Sequence, residues 1–323
     1  MFLNQKVTLT SPSVGFPRGL FHYTYGVYWR EFFEALGITV VESPETTQKI
    51  LDDGVKEAVS EACIPIKVYH GHVRHLAPLV DYLFLPRYVS MDGATVFCPK
   101  FLGLPEMVKS SMAGIPPLLS PRIDTRRRAT LFRACAEVGR ALGERPMRWL
   151  RAWQRATEAY ARYLRDQGFR RYIPEPHMGE DGPLLRIAVT GYPYEIYDGF
   201  LNLDLLKRLA AAGVEIITPE MFGPDELSQE NGAFEKGIFW HYSDRAVKAG
   251  LLCFHRKNVD GVIHITAFGC GPDAIADKVL ELEASATGVP FMPLLIDEYS
   301  GEAGLVTRLE AFLDMVKRSK GVR

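Results

Sequence analysis

The sequence predicts an α/β protein with two similar doubly wound, Rossmann-like lobes, a helical segment joining them, and a site in the cleft between the lobes. Three observations carry this. Short β-rich runs alternate with segments of helical periodicity, as in parallel βαβ units. The pattern of the first 120 or so residues returns after about residue 180. The stretch between is rich in Arg, Ala, Leu and Glu, and it reads as helix.

In the first lobe, Ser13-Val14-Gly15-Phe16-Pro17 ends a strand. Residues 25–36 have helical spacing, with Val27, Phe32, Phe33 and Leu36 apolar and Gly37 placed to end the helix. Residues 38–41 form a β-rich run closed by Pro44, and a helix is expected over 45–59. Cys63-Ile64-Pro65 opens another helix, to about Leu79, and residues 81–86 read as a buried strand. In the second lobe, residues 184–190 are a strand ended by Gly191-Tyr192-Pro193. A helix from about Leu201 to Ala212 stops at Gly213, and strands follow at 214–217 and 260–265. The spacing agrees between the copies: Gly15 to Pro44 is 29 residues, and Gly191 to Pro219 is 28. The expected organisation is a lobe over 1–124, a helical linker over 125–180 and a lobe over 181–323. The linker has one break near Gly143 to Pro146, and Trp149 and Trp153, four apart, share a helix face.

The 323 residues are 47% hydrophobic and 24% charged, which is ordinary for a globular protein, and net charge is −1. That balance supplies no field to attract nucleic acid or anionic lipid. Arg126-Arg127-Arg128, the one dense basic run, reads as a solvated helix start. The N-terminus has no long apolar core like that of a signal peptide, and no window reaches the length of a membrane span, so the expected location is cytoplasmic. Five cysteines make an odd, dispersed set, which argues against a disulfide framework.

Cys63, Cys98 and Cys270 each stand beside a proline at a helix entry: Ala62-Cys63-Ile64-Pro65, Phe97-Cys98-Pro99-Lys100 and Gly269-Cys270-Gly271-Pro272. Proline favours the first helical turn, where free N–H groups and the positive dipole end stabilise a thiolate or a bound anion. Cys98 and Cys270 follow the Val-Asp strands of their lobes, by 17 residues from Asp81 and 10 from Asp260. Ligands of open α/β sheets bind beyond the carboxyl ends of strands, so facing lobes bring these loops into one cleft. Spacing alone leaves the three as either isolated thiols or ligands, because there is no C-x-x-C pair. Cys135 and Cys253 lie in helical stretches and read as core.

The strings VGFPRGL, SEACIPIKVYHGHV, FCPKFLGLPEMV, HITAFGCGPDAI and LLIDEYSGEAGLVTRLEAF resemble the 2-hydroxyacyl-CoA dehydratase and activase-related superfamily. The closer likeness is to its small uncharacterised branch, related to a domain fused to acyl-CoA dehydratase activases. The resemblance implies one [4Fe-4S]-type cluster in the interlobe cleft, with Cys63, Cys98 and Cys270 as ligands, in anaerobic, low-potential electron transfer or reduction. Gly269 and Gly271 would flank the cluster, and Arg18 and Lys100 would offset its charge. Three thiolates leave one iron open to substrate, water or a partner. The implied partner is an ATP-dependent activase or reductase, since the chain has no phosphate-loop motif of its own. A double-cubane arrangement would need a second iron–sulfur subunit in a homo- or hetero-oligomer.

Two alternatives are carried. One is a dehydratase-like lyase subunit that binds acyl-CoA or another small molecule at the open iron. The other is a dinucleotide-binding protein using Gly269-x-Gly271-x-x-Ala274, with Asp297 on a ribose hydroxyl. Asp297, Glu298 and Glu302 surround a helix start where Ser300 is the expected cap. His70, His72 and His75 lack the common helix face that a zinc site needs.

Overall fold

A computed structural model describes residues 12–127, 130–177, 185–230 and 237–321. The N-terminal stretch read for a signal sequence, Arg128 and Leu184 lie outside the described residues. The chain is mixed α/β with parallel sheets, as expected.

The first half runs β1 Ser13–Phe16, α1 His22–Ala35, β2 Thr39–Glu42, α2 Gln48–Glu57, α3 Ile64–Leu76 and β3 Tyr82–Phe84. It continues through β4 Arg87–Ser90, α4 Pro99–Leu102, α5 Leu104–Ser111, β5 Leu118–Leu119 and β6 Arg122–Asp124. Two helices follow, α6 Leu131–Ala141 and α7 Pro146–Arg165, broken where expected. The second half runs β7 Leu185–Thr190, α8 Pro193–Tyr197, α9 Leu205–Ala211, β8 Val214–Ile217, α10 Pro224–Ser228 and α11 His241–Arg256. It ends with β9 Gly261–Ala267, α12 Gly271–Thr287, β10 Phe291–Ile296 and α13 Glu302–Lys320.

The first sheet has the order β2-β1-β3-β5 and the second β10-β9-β7-β8, each with all its pairs parallel. Read from the other edge, the second order is β8-β7-β9-β10, which matches the first strand for strand. In both, the chain steps to one side after the first strand and then crosses to the other. A crevice therefore opens between β1 and β3, and another between β7 and β9, at the carboxyl ends where such sheets bind ligands. β4 and β6 form a separate parallel pair.

Two boundaries differ from the sequence reading for a local reason. The helix expected from Leu201 starts at Leu205, because Asp198 Oδ1 accepts the N–H groups of Phe200 and Leu201 and folds a turn there. The helix expected over 45–59 starts at Gln48, where the Thr47 hydroxyl accepts the Ile50 N–H and caps it.

Aromatic side chains of α1 form the first half's core: Trp29, Phe32 and Phe33 are fully buried, Trp29 and Phe33 against Phe84, and Phe32 against Trp29 and Phe33. Each such ring contributes about 2–3 kcal/mol by leaving water. Trp29 Nε1 donates to Tyr88 Oη at 2.7 Å, which satisfies its one polar group. The other side of α1 meets α7, where Tyr160 packs on Tyr25 and Tyr28. Trp149 and Trp153 do share a face, and both pack on Phe132. Cys135 and Cys253 are buried core residues.

The halves share one core. Phe97 and Phe101 of the first half meet Tyr242 and Tyr194 of the second. A backbone bridge joins them as well: Val96 N donates to Phe239 O at 3.0 Å, and His241 N to Val96 O at 2.8 Å. Among the described residues, no helix is long and apolar enough to cross a membrane.

Candidate functional site

Cys63, Cys98 and Cys270 are the N-cap residues of α3, α4 and α12, with proline in each first turn. The Cys-x-Pro and Cys-Pro strings thus act locally as expected. All three thiols are half-buried, unlike Cys135 and Cys253. None closes a regular side-chain capping hydrogen bond, though first-turn amides lie near each sulfur.

Cys63 of the first half interacts electrostatically with Cys98 and, across to the second half, with Cys270. Burial pushes the Cys63 thiol up, Lys100 opposes the rise, and Glu195 and Cys98 add to it. Burial also raises Cys98, against the first-turn amides of Lys100 and Phe101 and the Lys100 ammonium. Cys270 is raised furthest, by burial first, then by Asp273, Glu195 and Cys63. Each is an acidic group caught among others in a dry place, held as a thiol unless a cation arrives.

Cys270 sits at the second sheet's crevice. Its loop follows β9, and its Sγ lies 3.9 Å from the hydroxyl of Tyr192, which follows β7. Tyr192 N–H donates to Glu195 Oε2 at 3.3 Å, while Glu195 Oε1 is buried without a partner. Burial and then the nearby Asp273 push Glu195 well above the usual carboxylate range, which favours its protonated form. Asp273 is itself fully buried, 3.3 Å from His264 Nε2 in a geometry too poorly aligned to be a hydrogen bond. A pocket of about 440 Å³ opens beside Cys270, with Phe268, Gly269, Gly271 and Asp277 in its wall. A Cβ built on Gly269 or Gly271 would meet nothing within 4 Å, so both glycines border open space.

Among the described residues, no three His, Cys, Asp or Glu side chains converge as ligands of a single metal ion. A cubane asks for something else, because its thiolates bind different irons and stand further apart. The chemistry of the residues present is compatible with that group: three half-buried thiols of which Cys63 is coupled to each of the others, Lys100 beside Cys63 and Cys98, and open space at the glycines flanking Cys270.

The other expected positions divide. Lys100 acts on Cys63 and Cys98. Arg18 lines a different cavity and pairs with Glu45 at 3.2 Å. The Gly269-x-Gly271-x-x-Ala274 string does follow a strand and open a helix. Asp297 Oδ1, however, already accepts Tyr299 N–H and the Ser300 hydroxyl. Ser300 closes that turn, and the N-cap of α13 is Gly301. Glu298 pairs with the buried Lys67 of α3 at 2.5 Å, tying the second half to the helix that begins at Cys63. His70 and His72 are spent on Ile66 O and the Thr46 hydroxyl. The sequence reading missed Glu195, Asp273 and Lys67, whose only local signal was an ionisable residue in an apolar or proline-led context.

Residues 13–222 match the family described as the CoA enzyme activase uncharacterised domain (DUF2229), about two thirds of the chain. The chain belongs to this family. The match contains Cys63 and Cys98 and stops short of Cys270, so the third thiol comes from beyond the family's span. No curated protein matches the chain.

Proposed function

We propose that this member of the family carries one [4Fe-4S]-type cluster on Cys63, Cys98 and Cys270. It would work in low-potential electron transfer or reduction with an ATP-dependent activase as partner. The observation that supports the reading is the electrostatic coupling of Cys63 to both Cys98 and Cys270, three half-buried N-cap cysteines drawn from both halves of the fold. When bound, the cluster would supply one-electron chemistry and one iron free of cysteine. The chain's own residues set the surroundings. Helix N-termini at all three thiols favour negative charge, and Lys100 adds a cation. Burial and Asp273 favour the protonated form of Glu195, which limits competing negative charge beside Cys63 and Cys270. Exposed Phe268 and the pocket at Cys270 give a partner or substrate access.

Anaerobic reconstitution with iron and sulfide tests this. About four irons per chain and a charge-transfer absorption, both lost in Cys270→Ser, are expected. A colourless chain without iron overturns the proposal. Acyl-CoA binding to the reconstituted brown protein, absent from the colourless one, would turn the reading toward a dehydratase-like lyase subunit.

A further inference from the structure

A second cavity, of about 910 Å³, lies beyond the carboxyl ends of β1 and β2, walled by the loops after both strands and by the segment between α8 and α9. Its volume suits a small molecule. The cysteines are not in its wall.

Three guanidinium groups line it: Arg18, Arg30 and Arg171. All three lie close enough to the buried His22 ring to depress its pKa further, after burial. That ring is 4% exposed and its Nδ1 has no hydrogen-bond partner. His22 and Tyr23 open the 14-residue helix α1, so its positive end lies at the same space, with the His22 and Thr24 amides already bonded to Gly19 O and Phe21 O. Acids hold two of the arginines. Glu42 bonds Arg30, and Glu45 reaches Arg18 at 3.2 Å. Glu45 is 82% exposed, so exchanging it for a ligand oxygen costs little. Arg171 has no carboxylate partner among the described residues; it lies 4.7 Å over the Tyr172 ring and donates to that hydroxyl. The buried acid in the wall, Asp198, is satisfied by Tyr23 and Thr46, and burial raises its pKa.

We infer that this cavity binds a small phosphorylated molecule by its phosphoryl group, clasped by Arg18, Arg30 and Arg171 at the start of α1. A phosphoryl group offers three terminal oxygens, which suit the Arg171 fork, Arg18 and the Arg30 donors not engaged by Glu42, whereas a carboxylate offers two. The inference is independent of the cysteine proposal.

Calorimetric titration of the full chain with inorganic phosphate, pyrophosphate, a nucleoside diphosphate and succinate tests it. Saturable binding of pyrophosphate or the nucleoside diphosphate is expected, weakened about tenfold or more in Arg171→Gln. Arg171→Lys, which keeps the charge and loses the fork, falls between, and Cys270→Ser binds as the unsubstituted chain does. Tighter binding of the nucleoside diphosphate than of pyrophosphate places a ring on the aromatic wall; equal binding identifies a free polyphosphate as ligand. No saturable phosphate or diphosphate binding overturns the inference. So does succinate binding as tightly, or affinity that survives in both Arg171→Gln and Arg18→Gln when melting curves show both variants folded.

Discussion

Gly15-Phe16-Pro17-Arg18 and Gly191-Tyr192-Pro193-Tyr194 leave the equivalent strand in two sheets of the same order. After β1 the chain wanders for five residues before α1, and Arg18 turns into an open, charged cavity. After β7, Pro193 starts α8 almost at once, Tyr192 takes the Glu195 carboxylate on its N–H, and its hydroxyl reaches Cys270. One backbone plan therefore leaves an arginine-lined cavity beside β1 and β2, closed by residues of the second half, and a thiol-bearing pocket after β9. The difference teaches that the sheet fixes where a site can be, while loop length and one side chain decide its chemistry.

The sharpest way to break this contrast is to move iron. Serine at Cys63, Cys98 or Cys270 should take reconstituted iron from about four per chain to well below one, whereas Arg18→Gln should leave it unchanged. Iron loss in Arg18→Gln, or full iron in Cys270→Ser, would merge the two crevices or empty the second.

Next in size is the scaffold beneath Cys63. A Cβ on Gly54 would lie 1.8 Å from Lys67 O, and one on Gly71 1.9 Å from Ile50 O, so α2 and α3 touch backbone to backbone. Gly54→Ala should cost about 3 kcal/mol or more by denaturant unfolding, since rigid carbonyls must move. A loss near zero would mean that the two helices can separate without disturbing the first half.

The tie between halves is smaller. Glu298→Gln leaves Lys67, 5% exposed, without its charge partner and should cost about 2 kcal/mol. The Lys67 hydrogen bond holds Glu298 below the usual carboxylate range. A depressed acid stabilises the fold above its unfolded pKa and loses that contribution as pH falls through the folded value. The gap between parent and variant should therefore close below about pH 4. A gap that persists in acid would assign the loss to packing.

Glu195→Gln should be the mildest, within about 1 kcal/mol, since a neutral side chain replaces a neutral one. Glu195 has a raised pKa, so the parent loses stability as pH rises above the unfolded value of about 4.3 and the Gln variant does not. Unfolding free energies at pH 5 and pH 8 should diverge in the variant's favour; parallel curves would mean that Glu195 is ionised.

Much of this was legible in the sequence because it is written locally. Proline after Cys63 and Cys98, and Gly-Pro after Cys270, announce helix starts within one turn, and all three cysteines do cap helices. The β-rich runs announced parallel strands. Residue type told the charge of Arg18 but not its direction, and it lines the cavity beside β1 and β2, paired with Glu45. The start of α9 was missed because Asp198 and Asn202 fold their own turn with side-chain hydrogen bonds that hydrophobic spacing does not register.

The sequence by itself determined the α/β class, the repeated strand–helix order and the local posture of the three cysteines. Each depends on dihedral preferences and periodicities spanning a few residues. Only the tertiary structure brought Cys63 within the electrostatic reach of Cys270, gathered Arg18, Arg30 and Arg171 around His22, and buried Glu195 against Asp273. Desolvation and electrostatic fields are sums over neighbours that come from distant parts of the chain, so they exist only once the two halves have packed.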